Sequence, residues 1–252
     1  METLYGFFEK NPKVALAFSG GVDSAYLLYA AVDAGADVCA YYVKTDFQPE
    51  FELKDAERLA AELDVKMKTI HLDVLADPLV ESNPADRCYH CKKHIFRAII
   101  DHARKDGYEV IMDGTNASDD PGDRPGVRAL REYGVRSPLR DCGLTKADIR
   151  VLSREAGLFT WDKPAYACLA TRIQTDQKIL YKTLKAVESC EGMMSDLGFR
   201  DFRIRVRGNN ALVQIREEDK KLFDKEEEYI RDNLSVFFAR ADLDPVYRKS
   251  EI

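Results

Sequence analysis

One short loop in this sequence has the residue types and spacing of a phosphate-binding site. It follows an apolar run at residues 14–18 and precedes a helical pattern from residue 24 onward. Its two glycines allow a ligand to approach the backbone closely, and the amides at a helix start attract anions. No lysine follows the glycines at Walker A spacing, so the loop is of another type. We predict that it binds the phosphates of a nucleotide through Ser19, Gly20, Gly21, Val22, Asp23 and Ser24.

A pair of cysteines, Cys88-x-x-Cys91, stands where a polar segment leads into a helical pattern at residues 95–105. This spacing puts two sulfur atoms within reach of one metal ion. A structural zinc needs four ligands, and although His90 or His94 could be added, no standard zinc pattern is complete. A thioredoxin-type dithiol and two unengaged thiols near the surface are the other interpretations.

Cys168 is a third candidate, lying between small residues with Arg172 four positions later. Arg172 could bind phosphate or favour the thiolate of a nearby cysteine, while a buried structural cysteine is the alternative. Farther along, a predicted strand at 202–207 alternates so that Arg203, Arg205 and Arg207 share one face. This row of cations suits a phosphate group, and a solvated strand face is the alternative interpretation.

The elements around these residues alternate between strand and helix. Strands are predicted at 14–18, 37–43, 65–72 and 109–113, with helices at 24–31, 50–63, 95–105 and 146–157, the last capped by Thr145. This alternation predicts an α/β fold with a doubly wound, mostly parallel sheet over residues 1–172. Residues 173–252 change to a helix at 178–197, a hairpin at 202–216 and a helix at 217–233, which predicts a smaller α+β domain for substrate binding or oligomerisation.

In a doubly wound sheet, ligands lie beyond the carboxyl ends of the strands. Val43 on the second strand and Met67 on the third are therefore predicted to flank an adenine. Gly114 and Asn116 follow the fourth strand and are placed at the same edge. In that loop Asp113, Asn116 and Asp119 could orient substrate or a magnesium ion, whereas Asp119 and Asp120 could equally cap and solvate a turn.

Composition argues against several classes of protein, among them nucleic-acid-binding, secreted and membrane proteins. The chain has 252 residues, 45% of them hydrophobic, and a net charge of -6, which argues against a broad nucleic-acid surface. No run of eighteen apolar residues occurs and the first residues do not resemble a signal peptide, so we expect a cytoplasmic protein without a membrane segment. Six cysteines in such a chain favour thiols or metal ligands over disulfides.

The whole set of motifs resembles the LarE family of the PP-loop ATP pyrophosphatases. These proteins are ATP-dependent sulfur transferases that convert pyridinium-3,5-biscarboxylic acid mononucleotide to its thiocarboxylic forms for the nickel-pincer nucleotide. The resemblance covers nearly the whole chain. It rests, in order, on the loop at 19–24, Asp113-Gly-Thr-Asn116, Arg124-Pro-Gly126, Arg136-Ser-Pro-Leu139, Gly143-Leu-Thr-Lys146, Trp161-Asp-Lys-Pro164 and Cys168-Leu-Ala-Thr-Arg172.

The resemblance implies roles for individual residues. The loop at 19–24 would hold pyrophosphate from ATP with Mg²⁺ as its counter-ion, and Cys168 would be the sulfur-bearing cysteine. Arg203 and Arg205 would bind the phosphate of a small nucleotide substrate, with Arg172 as a further phosphate contact. Glu191 is carried over as a catalytic residue because of its position before the arginine strand. Family members are often oligomers, so a homo-oligomer is expected.

Two branches of that family differ in their source of sulfur. In one, a single cysteine gives up its own sulfur; in the other, three cysteines hold a [4Fe-4S] cluster that carries an added sulfide. This chain has Cys88 and Cys91 as well as Cys168, which favours the cluster and requires a sulfide or another sulfur donor. Sacrifice of Cys168, tRNA thiolation and a non-catalytic nucleotide or metal sensor are the alternatives.

Overall fold

The computed structural model describes residues 3–119 and 125–248, without the side chain of Pro125. Asp120 and Arg124, which belong to the motifs above, lie outside the described residues. The α-helices in the described residues are α1 (Leu4–Lys10), α2 (Val22–Asp33), α3 (Glu50–Glu62), α4 (Pro78–Glu81), α5 (Arg87–Lys105), α6 (Pro125–Glu132), α7 (Pro138–Asp141), α8 (Lys146–Glu155), α9 (Tyr181–Asp196) and α10 (Lys220–Ser235). The strands are β1 (Lys13–Ala17), β2 (Asp37–Lys44), β3 (Met67–His71), β4 (Val110–Asp113), β5 (Arg203–Arg207), β6 (Asn210–Gln214) and β7 (Arg240–Leu243).

The chain divides into two compact units. The first comprises residues 1–74 and 86–163, and the second residues 75–85 and 164–252. The sequence pattern instead suggested a change of domain after residue 172. Residues 164–172, which include Cys168, thus belong to the second unit.

The first unit is built on a four-stranded sheet in the order β3-β2-β1-β4, with every neighbouring pair parallel. Successive residues of β2 point to opposite faces. Val38, Ala40 and Tyr42 pack in one apolar cluster with residues of α1, α2 and α3, while Cys39 and its alternate neighbours pack with α5 and α6. Helices therefore cover both faces, and the predicted doubly wound α/β fold is confirmed. Buried Cys39 acts as a small apolar side chain.

The strand order places two loops side by side. From β1 the chain moves outward to β2 and β3 and then returns to β4 on the other side of β1. The carboxyl ends of β1 and β4 flank this switch point, where doubly wound sheets bind ligands. The fold thus brings the loop at 19–24 next to the loop that begins at Gly114.

The second unit has a three-stranded sheet in the order β5-β6-β7, in which β5 and β6 form the predicted antiparallel hairpin. Strand β7 pairs parallel to β6 and was not predicted, because Arg240–Leu243 is a short, polar edge strand without a buried face. Helices α9 and α10 complete this α+β unit. Among the described residues, none of the helices has the length and apolar character needed to span a membrane.

Candidate functional site

The loop at residues 19–24, called the phosphate loop below, is shaped by its glycines. Gly20 has φ +72°, a conformation that favours glycine, and a Cβ there would come within 3.2 Å of the Ala56 Cβ atom. Gly21 is the N-cap of α2 and offers no side chain to cap the helix. The first-turn amides of Val22, Asp23 and Ser24 therefore have no side-chain cap at the start of α2.

Two serine hydroxyls fix the curve of the phosphate loop. The Oγ atoms of Ser19 and Ser24 lie 3.0 Å apart, and the Ser24 hydroxyl donates to the Gly21 carbonyl over 3.2 Å. The Ser19 amide in turn donates to Ser24 Oγ at 3.3 Å. The loop is therefore held in its curved form by its own side chains, which is the preorganisation that binding of a multiply charged anion requires.

Gly114 is needed where the β4 loop crosses the phosphate loop. A Cβ on Gly114 would stand 2.8 Å from the backbone nitrogen of Ser24. The neighbouring Asn116 is buried, and its side-chain oxygen accepts from the Ser118 amide, while its own amide donates to Asp119 Oδ2 at 3.0 Å. Asp119 therefore caps a turn, which is one of the two roles the sequence allowed for it.

Asp113 is similarly occupied within the protein. Its Oδ1 atom accepts from the Ser137 hydroxyl at 2.7 Å, and its Oδ2 atom accepts from the Thr115 hydroxyl. The Asp113 amide also donates to the carbonyl of Arg136, which forms an isolated parallel bridge with Met112 of β4. These contacts make Asp113 an anchor of the sheet edge in this conformation.

Asp23 is different because one of its oxygens has no protein partner. Its Oδ2 atom lies 2.7 Å from Lys146 Nζ, whereas its Oδ1 atom is buried and finds no hydrogen-bond partner among the described residues. Carboxylate oxygens are preferred ligands of Mg²⁺, and an orphaned one beside a phosphate-binding loop fits such an ion. Asp23 is thus the residue in this loop best suited to hold magnesium.

Two lysines supply the positive charge that the phosphate loop itself lacks. Besides Lys146, Lys163 reaches the loop: its Nζ atom lies 2.6 Å from Asp55 Oδ2 and 3.4 Å from the Gly20 carbonyl. Arg150 on α8 holds this segment by donating to the carbonyls of Trp161 and Lys163. Neither lysine was singled out from the sequence, although both lie in segments that carried the LarE resemblance.

Val43 and Met67, which were predicted to flank one adenine, pack on opposite faces of the sheet. Val43 packs on the α5 face of the sheet, whereas Met67 pairs with Ala40 and packs on the α2 face. Met67 is also the first residue of β3, away from the carboxyl edge. Side-chain alternation along a strand separates the two residues. Val43, next to the end of β2, is the one that lies at the ligand-binding edge.

Cys88 and Cys91 lie in the first turns of α5, which begins at Arg87 and not at residue 95 as the sequence pattern predicted. Cys88 is exposed and accepts a hydrogen bond from Arg87 Nη2 at 3.4 Å, while Cys91 is buried. Cys168 belongs to the second unit, just before a short 3₁₀ helix at Leu169–Arg172. Within residues 3–119 and 125–248, no group of three or more His, Cys, Asp or Glu side chains is arranged to hold a metal ion.

Glu191 and Arg172 form a buried, bidentate ion pair in the second unit. Arg172 Nε lies 2.8 Å from Glu191 Oε1, and Arg172 Nη2 lies 3.0 Å from Oε2. The carboxylate also accepts from the Tyr166 hydroxyl at 2.6 Å and from the Ile204 amide at 2.9 Å. Burial alone would lower the pKa of Arg172, but the hydrogen bonds and charge of Glu191 outweigh it and raise the pKa. Glu191 thus holds structure together with all its acceptor positions occupied.

Arg203 and Arg205 do not form the exposed row that alternation predicted. Arg203 is buried and donates to the carbonyls of Phe202 and Ala165, whereas Arg205 is half-buried and donates to Gln214 Oε1 at 2.6 Å. Burial, and then the positive charges of Arg172 and Arg248, lower the pKa of Arg203 to about 10. Arg207 remains exposed. The phosphate-binding role of Arg172, Arg203 and Arg205 stays a prediction.

Comparison with known proteins adds to this geometry. A family model described as queuosine biosynthesis protein QueC matches residues 13–95. Pyridinium-3,5-bisthiocarboxylic acid mononucleotide synthase of Lactiplantibacillus plantarum is 31% identical over 217 residues, covering 85% of this chain and 79% of that protein. A protein of Synechocystis is 33% identical over 88% of this chain and 84% of its own length. The tRNA-specific 2-thiouridylase MnmA of Frankia casuarinae is 32% identical, but over only 60% of this chain and 53% of its own.

Proposed function

The chain belongs to the LarE family of PP-loop enzymes, which are ATP-dependent sulfur transferases, and from that premise we propose that it thiolates pyridinium-3,5-biscarboxylic acid mononucleotide. The observation that carries the proposal is the 31% identity, over 85% of the chain, with a synthase of the corresponding bisthiocarboxylic acid. The product belongs to the route to the nickel-pincer nucleotide. The phosphate loop supports the ATP-dependent half of this reaction, and the cysteines support the other half.

The first step activates a carboxylate. A carboxylate oxygen of the substrate attacks the α-phosphorus of ATP, and the bond to the β-phosphate oxygen breaks, so that pyrophosphate leaves with the electron pair. The first-turn amides of α2 and the side chains of Lys146 and Lys163 receive this negative charge. Asp23 would hold Mg²⁺, which offsets the charge of the triphosphate. Val43, Gly114 and Asn116 remain proposed ATP contacts.

The second step delivers sulfur to the acyl-adenylate. Sulfide attacks the activated carbonyl carbon, AMP leaves, and the thiocarboxylate remains. We assign the sulfur site to Cys88, Cys91 and Cys168, since three thiolates suit a [4Fe-4S] cluster as a donor set. Such a cluster, when bound, leaves one iron without a protein ligand and so has a position for the sulfide to be transferred. Arg172, Arg203 and Arg205 are proposed for the substrate phosphate, and Glu191, the ion-pair partner of Arg172, is proposed as a catalytic residue.

The decisive experiment combines cysteine variants with metal analysis under anaerobic conditions. Cys88→Ala, Cys91→Ala and Cys168→Ala should each lose iron, acid-labile sulfide and sulfur transfer together. Each variant should still release pyrophosphate in a single turnover, because the phosphate loop is unaltered. Cys142→Ala is the matched control and should retain all of these properties, since this cysteine lies outside the proposed donor set. Iron content that is unchanged in all three variants would reject the cluster.

The sacrificial alternative predicts a different pattern. Only Cys168→Ala would then lose sulfur transfer, and the wild-type protein would stop after one turnover. Its mass would fall by about 34 Da at Cys168, the mass of the hydrogen sulfide lost when the thiol is eliminated. Repeated turnover on added sulfide with unchanged mass would instead support the cluster. AMP formation that depends on added substrate distinguishes either enzyme from a non-catalytic sensor, and AMP formation with unmodified tRNA in place of the mononucleotide would support tRNA thiolation.

A further inference from the structure

Two arginines of the second unit, Arg172 and Arg203, donate hydrogen bonds to one short segment, residues 164–168, which we call the cysteine loop. Arg172 Nη1 donates to the Ala167 carbonyl at 2.9 Å, and Arg203 Nη2 donates to the Ala165 carbonyl. The Cys168 carbonyl accepts from the hydroxyl and the amide of Thr171, at 2.8 Å and 2.9 Å. Three of the five carbonyls in this loop thus accept hydrogen bonds from the side chains of Thr171, Arg172 and Arg203.

Tyr166 ties the same loop to the buried ion pair. Two guanidinium groups lie close to its ring, with the Arg172 Cζ atom 4.5 Å and the Arg203 Cζ atom 5.3 Å from its centroid. Its hydroxyl donates to Glu191 Oε2 at 2.6 Å. An aromatic face attracts both cations and so offsets their mutual repulsion. Tyr166 therefore joins Arg172, Arg203 and Glu191 into one unit, two residues before Cys168.

The alignment of donors explains why these arginines are buried. Taking a guanidinium out of water is costly unless its N–H groups find acceptors. Arg172 finds them in Glu191, in the Ala167 carbonyl and in Thr171 Oγ1, and Arg203 finds them in backbone carbonyls. A loop without regular secondary structure supplies such carbonyls, and in return the loop is fixed in one conformation. The arginines and the cysteine loop are thus mutually dependent.

We propose that Tyr166, Arg172 and Glu191 are positioning residues that hold the cysteine loop, so that the Cys168 thiol is presented in one place for sulfur transfer. The importance of that placement rests on the proposed function, but the ordering of the loop does not. Tyr166 is not among the residues proposed to bind ATP. Its loss should therefore affect the sulfur step and leave adenylylation intact.

Amide hydrogen exchange on the full chain tests the proposal directly. Tyr166→Leu removes the ring and the hydroxyl but leaves the ion pair in place, and Tyr166→Phe removes the hydroxyl alone. The Thr171 amide donates to the Cys168 carbonyl and the Ile204 amide donates to Glu191 Oε1. We expect exchange of these two amides to accelerate about tenfold or more in Tyr166→Leu, as for the loss of contacts in a charged network, and less in Tyr166→Phe. Exchange in α2 should not change. Tyr181→Leu, which alters an exposed tyrosine beside Lys185, is the control and should leave the loop unaffected.

Kinetics then separate positioning from a general loss of structure. In Tyr166→Leu the kcat for sulfur transfer should fall while the single-turnover rate of pyrophosphate release and the KM for ATP stay at wild-type values. Unchanged exchange of the Thr171 and Ile204 amides in a folded Tyr166→Leu protein would overturn the proposal. Equal acceleration across the whole second unit would also overturn it, because that result describes unfolding. If Cys168→Ala retains sulfur transfer, the proposed function fails, whereas the exchange result still decides whether Tyr166 orders the loop.

Discussion

The phosphate loop of the first unit and the arginines of the second unit are both suited to anions, but their donors are used differently. At the phosphate loop, the first-turn amides of α2 have no capping side chain, and one Asp23 oxygen has no partner among the described residues. In the second unit, Arg172 and Arg203 donate to Glu191 and to backbone carbonyls. The phosphate loop leaves donors and a carboxylate oxygen available to a ligand. The arginines of the second unit use most of their donors within the protein.

This difference shows that positive charge alone does not identify a phosphate site. A glycine-capped helix start leaves backbone donors in fixed positions, and their preorganisation lowers the cost of binding. Burying a guanidinium group costs free energy, which hydrogen bonds to carboxylates or carbonyls of the protein offset. Those acceptors then compete with a ligand for the same N–H groups. Of the three predicted phosphate-binding arginines, half-buried Arg205 is the best placed to contact a ligand without dismantling the buried ion pair.

The largest expected effect lies in the second unit. Glu191→Ala leaves the buried Arg172 guanidinium without its partner, which should reduce the free energy of unfolding by about 3–5 kcal/mol. Urea denaturation measures this loss. Glu188→Ala, on the same helix, breaks the partly exposed pair with Lys185 and should cost less than about 1 kcal/mol. Similar losses in the two variants would show that the Glu191–Arg172 pair is not a structural anchor.

The next effect concerns the phosphate loop and activity. Asp23→Asn removes the charge proposed to hold Mg²⁺, and Ser24→Ala removes the hydroxyl that shapes the loop. AMP formation should fall about 100-fold or more in Asp23→Asn, as when an electrostatic stabiliser of the transition state is lost. Asp33→Asn, at the other end of α2, should keep full AMP formation. Unchanged adenylylation in both Asp23→Asn and Ser24→Ala would remove the loop from the ATP site.

A third prediction concerns the different effects of replacing Arg203, Arg205 and Arg207. Arg203→Ala and Arg205→Ala should raise the KM for the mononucleotide substrate far more than the KM for ATP, since charge-assisted contacts are each worth about 1.5–3 kcal/mol. Arg203→Ala should also lower the melting temperature, because Arg203 is buried and holds the cysteine loop. Exposed Arg207 is the matched control, and Arg207→Ala should change neither quantity. Equal effects on both substrates would place these arginines at the ATP site.

The sequence allowed much of the first unit to be predicted because its signals are local. Buried parallel strands appear as apolar runs, and the phosphate loop is one continuous segment. The start of α5 was missed because residues 87–94 are mostly polar, and the apolar periodicity begins only with Phe96, Ile99 and Ile100. A helix without an apolar face in its first turns has no periodic signal, so Cys88 and Cys91 were expected before the helix.

Contacts distant in sequence could not be predicted in the same way. Lys146 and Lys163 reach the phosphate loop from more than a hundred residues away, and nothing in their local pattern distinguishes them from surface lysines. Alternation placed Arg203, Arg205 and Arg207 on one face, but only the packing of Tyr166 and Glu191 decides which of them is buried. The roles of such residues depend on partners that the fold brings together.

The variant with the smallest expected effect on stability, Gly21→Ser, tests the comparison most directly. It would give an amide of the phosphate loop an acceptor within the protein, as the arginines of the second unit already have. Gly21 has φ −81°, and a Cβ there meets only Ser19 Oγ, at 3.5 Å, so a serine fits without strain. In Gly21→Ser, the new hydroxyl can cap α2 by accepting from a first-turn amide, which should stabilise the protein by a few tenths of a kcal/mol, or about 1 °C in melting temperature. The same hydrogen bond occupies an amide proposed to bind pyrophosphate, so the KM for ATP should rise while stability increases.

Thr145→Ala is the opposite control: it removes the existing cap of α8, should cost about 1 kcal/mol, and should leave the KM for ATP nearly unchanged. A Gly21→Ser protein that binds ATP as tightly as wild type would show that the open amides of α2 are not what the nucleotide uses.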